Sequence, residues 1–182
     1  MIYLLSVMPE GFKELDLPDS QNYLDFNCMR WNGESKLNQW KSPDVIWVKD
    51  EFTSANDEIG DFTKFSGGAI ALSEKAYQIL KPIIGTQTEF LPVKTGNEKW
   101  YLLNVLNVKN LMDTARSKFK IYEDGHISPC THAYINPPDS NDAGIFLVKG
   151  YLPNIFINRD VKDEIEKAGL TGCLIREYIN PT

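Results

Sequence analysis

The sequence predicts an α+β fold: a mixed, largely antiparallel sheet with two or three helices packed to one side. Three observations predict it. Short apolar runs recur between turn-forming residues, two segments carry helical spacing behind a capping residue, and Gly96-Asn97 and Asp124-Gly125 are tight-turn pairs between candidate strands. A chain of 182 residues with 42% apolar and 24% charged side chains fits a single globular domain spanning 1–182.

The elements follow in order. Met1 to Val7 reads as a short strand, and residues 9–42 are polar and turn-rich, with turns at Asp16–Ser20 and Trp31–Gly33. Pro43 to Lys49 is a second strand. Asp50, Glu51, Asp57, Glu58 and Asp61 form an acidic stretch suited to an exposed loop or a short helix. Ala69-Ile70-Ala71-Leu72 is a strand that feeds a helix. Ser73 is its N-cap, because the hydroxyl accepts a bond from an orphan first-turn amide. Ala76, Tyr77, Leu80, Ile83 and Ile84 lie on one stripe. Pro82 is expected to end the regular helix near Lys81, since it removes a ladder donor. Glu89–Val93 and Trp100–Leu106 should pair as a hairpin, with Pro92 making the first an edge or bulged strand.

Val108, Leu111, Met112 and Ala115 suggest a helical turn. Phe119–Tyr122 and Ile127 flank the Asp124-Gly125 turn, and residues 129–142, with Pro137-Pro138, read as loop. Gly144–Lys149 and Ile155–Ile157 are strands. Asn158 caps a helix whose stripe is Val161, Ile165 and Ala168, Gly169 ends it, and Cys173–Tyr178 is the last strand. Strand, cap, helix, glycine and strand thus occur twice, at Ile70–Val93 and Ile155–Tyr178. We read this as ordinary α+β construction, not as a duplication. The expected core is Ile70, Leu72, Leu80, Ile83, Phe90, Leu102, Val105, Phe146, Ile155, Ile157, Val161, Ile165, Leu174 and Ile175.

Composition narrows the function. Asp plus Glu number 25 against 19 Lys plus Arg, a net charge of −6. A nucleic-acid binder needs a basic face to displace phosphate counterions, so that class is disfavoured. The acidic balance suits a basic partner, and it equally suits plain solubility. No apolar stretch approaches a membrane span, the first residues lack a signal-peptide pattern, and Cys28, Cys130 and Cys173 are widely spaced. A cytoplasmic protein is expected, with no cofactor.

Chemistry-bearing motifs are sparse. Phosphate-loop, dinucleotide-binding and nucleophile-elbow spacings are absent. His126, Cys130 and His132 crowd together and carry the alternative reading of a small enzyme or metal-binding protein. Asp57, Glu58 and Asp61 are either a partner-facing patch or a solvated acidic loop. Trp31 and Trp40 are either interface anchors or packing under a long loop, and Trp47 reads as core.

Ser73-Glu74-Lys75-Ala76, Ile79-Leu80, Glu89–Val93 and Trp100–Val105 together form a pattern. Asp113, Ser117-Lys118-Phe119, Ile145-Phe146 and the helix from Asn158 to Leu170 continue it. This pattern resembles an immunity-protein family of bacterial polymorphic toxin systems, formerly a domain of unknown function with a myxobacterial founding member. It covers roughly residues 43–178 and leaves 9–42 outside. The resemblance implies a non-enzymatic protein that binds a cognate toxin, whose gene usually lies beside its own, and neutralises it by blocking the active site. A basic active-site face on that toxin would suit the acidic charge. The resemblance supplies no binding residues and no toxin class, and a non-enzymatic regulatory module stands as the remaining reading.

Overall fold

The computed structural model describes residues 1–8, 10–49, 58–120, 122–123, 130–139 and 144–182. Among them the chain forms thirteen strands and two α-helices, a strand-rich α+β arrangement. The first half of the chain runs β1 (Tyr3–Val7), β2 (Glu14–Asp16), β3 (Ile46–Val48), β4 (Phe62–Phe65), β5 (Ala69–Ser73), α1 (Glu74–Ile84) and β6 (Thr88–Thr95). The second runs β7 (Glu98–Val105), β8 (Val108–Lys109), β9 (Met112–Lys118), β10 (His132–Ile135), β11 (Ile145–Val148), β12 (Ile155–Ile157), α2 (Arg159–Lys167) and β13 (Cys173–Glu177). The strands divide into three sheets where the sequence suggests one. Their orders are β3-β2-β4-β5-β7-β6, β13-β1-β12-β11-β8, and the ribbon β10-β9. Neighbours are antiparallel except β2–β4 and β8–β11.

Both helices begin as their caps dictate. The Ser73 hydroxyl accepts from the Ala76 amide and the Asn158 side chain from the Val161 amide, which satisfies a first-turn donor in each. Ala76, Leu80 and Ile84 on α1, and Val161 and Ile165 on α2, are buried. The hairpin of β6 and β7 forms as expected, with Pro92 on the edge strand and Gly96 at φ +53° in the turn.

Four expectations are corrected. Helix α1 runs through Pro82 to Ile84. The proline costs one bond in the last turn, while burying Ile84 contributes about 1.5–3 kcal/mol and holds that turn. Ile83 points away from the core and is 36% exposed. The stretch with helical spacing at Val108–Ala115 is strands β8 and β9. Part of the expected loop 129–142 is strand β10, paired with β9 from Lys118 to Met112. Cross-strand pairing wins over the weak helical spacing there. The Asp124-Gly125 turn, Ile127 and the acidic residues from Asp50 to Asp57 lie outside the described residues.

The two halves repeat one arrangement of strand, cap and helix, and the repeat extends beyond those elements to the strand pairing. Ile70, Leu72, Ser73, Ala76, Leu80 and Thr88 correspond at constant spacing to Ile155, Ile157, Asn158, Val161, Ile165 and Cys173. The registers match as well. Leu72 pairs with Phe62 and Tyr101, whereas Ile157 pairs with Ile145 and Tyr3. Tyr101-Leu102-Leu103-Asn104-Val105 therefore occupies the place of Tyr3-Leu4-Leu5-Ser6-Val7. The first strands are exchanged between copies: β1 pairs within the second repeat's sheet and β7 within the first's. Leu106 N–H donates to Gln87 O at 2.9 Å, and its counterpart Met8 N–H donates to Gly172 O at 2.8 Å. At that seam a Cβ on Gly172 would lie 2.1 Å from Phe62 O, and its φ is +81°, so only glycine fits.

One face of each large sheet and both helix stripes share a single core, including Leu5, Phe62, Leu72, Leu80, Ile145 and Ile165. The far face of each sheet is covered by what its repeat inserts before the β4 or β11 position. In the first repeat the cover is a long irregular segment, whose Leu17, Cys28 and Val45 pack on Phe65, Leu91 and Leu102. In the second it is the β9–β10 ribbon, whose Ala133 and Ile135 pack on Phe146 and Phe156.

Candidate functional site

A solvent-open cleft of about 400 Å³ lies where α1 begins. It is lined by Ile59–Asp61, Ser73–Lys75, Glu98–Trp100 and Thr171, so the first repeat, the exchanged strand β7 and one turn after α2 build it together. Glu74 accepts from Gln78 at 2.6 Å and from the Tyr101 hydroxyl at 2.9 Å. These bonds hold its carboxyl below the usual range, and burial followed by the Glu74 bond pushes Tyr101 up to about 12. Glu98 accepts from the Trp100 indole at 3.0 Å.

Asp61 is the hub of this cleft. Its carboxylate accepts from the Ser73 hydroxyl at 2.8 Å, from Lys75 at 3.2 Å and from the Thr171 amide at 3.2 Å. It thereby joins the α1 cap to the turn after α2. Burial opposes its ionisation, but the Ser73, Thr171 and Lys75 bonds outweigh that and hold its carboxyl below the usual range. A carboxylate fixed in the charged form suits cation binding and is a poor proton carrier near neutral pH.

The other sequence candidates are dispersed. Glu58 is exposed, and its backbone pairs with Gly11 and Lys13 at 3.0 and 2.9 Å. Asp57 lies outside the described residues. Trp31 donates its indole N–H to Gly67 O at 2.8 Å and Trp40 to Pro92 O at 2.9 Å, both half-buried against the first repeat's far face. Trp47 packs edge-to-face on Trp100 with centroids 5.0 Å apart. His126 also lies outside the described residues. Cys130 directs its thiol to Lys118 O, and His132 contacts Ile179 O at 3.2 Å. Among the described residues no group of three or more His, Cys, Asp or Glu is placed to hold a metal.

Sequence reasoning misses the polar network under the first cover. Glu89 is buried and accepts from the Ser35 hydroxyl, the Lys36 amide at 2.9 Å and Asn104 at 2.8 Å. Burial opposes its ionisation, but these bonds win and hold its carboxyl below the usual range. Lys36 is buried as well, donating to Asn27 O at 3.0 Å and Met29 O at 2.8 Å. Burial lowers its pKa and pushes the neighbouring Cys28 thiol up to about 12, which leaves that thiol inert as a nucleophile. The signal in the sequence is Glu89 and Asn104 standing in step with the apolar Leu91, Val93, Trp100 and Leu102.

No family model matches the chain, and no curated protein matches it significantly. No helix among the described residues is long and apolar enough to cross a membrane.

Proposed function

We propose that this protein is an immunity protein: a non-enzymatic, cytoplasmic binder that neutralises a cognate bacterial toxin by covering its active site. The observation that carries the reading is where the residues of the family-like pattern fall. Ser73–Ala76, Glu89–Val93 and Trp100–Val105 assemble around α1 into one continuous piece of the first sheet. The cleft of Asp61, Glu74 and Glu98 opens at its helix start. A net charge of −6 adds a field that speeds encounter with a basic toxin face.

The test is growth rescue. The toxin domain encoded beside this gene is induced in a host with and without this protein. The proposal expects restored growth and a stable complex on co-purification. Continued killing while both proteins are soluble would count against it.

A further inference from the structure

The repeat also matches two places where the large sheets meet, and the two differ. Between β4–β5 of the first sheet and β1–β12 of the second lies a solvent-open groove of about 280 Å³. Two cross-strand pairs wall it, Lys64 with Ile70 and Leu5 with Ile155. Exchanging the repeats turns these into Leu147 with Ile155 and Leu103 with Ile70. There Leu103, Val105 and Leu147 are all buried in the shared core. On the groove side Lys64 stands at the Leu147 position and is exposed, and Val7, which matches Val105, is only half-buried. The leucine that packs into the core in one repeat is thus replaced in the other by a lysine that turns to solvent, where its Nζ donates to Glu14 at 3.0 Å.

The lining of the groove defines what it takes. Its walls are mostly aliphatic, and among the described residues Lys64 is the one charged group along them. The groove follows β1 from Leu4 to Val7, a length of about 10 Å at roughly 3.3 Å per residue. That length and a volume at the small end of ligand pockets suit a narrow, unbranched chain. The Lys64 ammonium keeps further N–H donors beyond the one given to Glu14, and a charge-assisted bond from it favours an anionic head.

We propose that this groove binds a medium-chain fatty-acid anion. The alkyl chain lies along β1 against Ile70 and Ile155, and the carboxylate accepts from Lys64 Nζ. The site stands apart from the toxin reading.

Isothermal titration of the whole protein with monomeric octanoate tests it. A single molecule should bind per chain, and hexanoate should bind more weakly by about fourfold for each methylene removed. Octylamine, with the same chain and the opposite charge, should bind more weakly by about tenfold or more. Lys64→Leu supplies the leucine of the matching position, so it should abolish binding and raise the melting temperature. Lys64→Gln should keep the dependence on chain length and lose the preference for octanoate over octylamine. Absence of saturable octanoate binding would overturn the proposal. So would equal binding of octylamine, undiminished binding of octanoate to Lys64→Leu, or uptake of several molecules per chain with no dependence on Lys64.

Discussion

The two repeats differ least where they face each other and most where they face outward. Toward the shared core, Ile70, Leu72, Leu80 and Leu103 stand opposite Ile155, Ile157, Ile165 and Leu5, all aliphatic and nearly all buried. On the far faces, Glu89, Leu91 and Asn104 are matched by Leu174, Arg176 and Ser6. The common frame is set by the inward positions, because two helices and two sheets must fill one volume. The covers differ, one being a loop held by a buried carboxylate and the other a ribbon over stacked Phe146 and Phe156. The exchanged strands β1 and β7 also mean that neither sheet is complete without the other repeat.

The largest effect is expected in the shared core. Leu80→Ala and Ile165→Ala each remove a side chain that is 1% exposed and should cost about 2–5 kcal/mol. Urea unfolding of either should remain one transition, and a separate second transition would show that the repeats fold independently.

The covers should respond unequally. Glu89→Ala orphans several buried donors and should cost about 1–3 kcal/mol, against a smaller loss for the half-exposed Leu174→Ala. The same carboxylate sets an acid limit. Glu89 and Asp61 have folded pKa values below their unfolded ones. Their stabilisation is therefore complete above about pH 5 and lost as pH falls through the folded values. Glu89→Gln should flatten part of that acid limb in melting curves taken against pH.

The smallest effect separates the two caps. Ser73→Ala and Asn158→Ala should each cost about 1 kcal/mol. Ser73→Ala should cost more, because its hydroxyl also donates to Asp61, whereas Gly144 at the matching position offers no carboxylate. Equal losses in thermal melts would remove Asp61 from the stabilising set.

Local signals in the sequence are legible and long-range ones are not. The caps at Ser73 and Asn158, the β6–β7 hairpin and the edge placement of Pro92 each rest on chemistry within a few residues. The run Val108–Ala115 reads as helical because strand pairing with residues 147–148 and 132–135 is invisible to local spacing. The repeat is half legible. Its helix and flanking strands show in the order of elements, but the matching Tyr-Leu-Leu-x-Val segments at Tyr3 and Tyr101 sit in exchanged places, far from the helices they cover. At the candidate site, charge alone singles out Asp61, and its partners Ser73 and Thr171 come together only through the fold.

Native-state hydrogen exchange on the unliganded protein reads the shared frame directly: in each repeat the edge strand, β6 or β13, bonds its neighbour through alternate residues and turns the others outward. The account predicts slow exchange at Lys94 and Val45. Along β13 it predicts alternation, with Leu174, Arg176 and Tyr178 protected while Cys173, Ile175 and Glu177 exchange rapidly. Uniform protection along β13, or rapid exchange at Lys94, would contradict it.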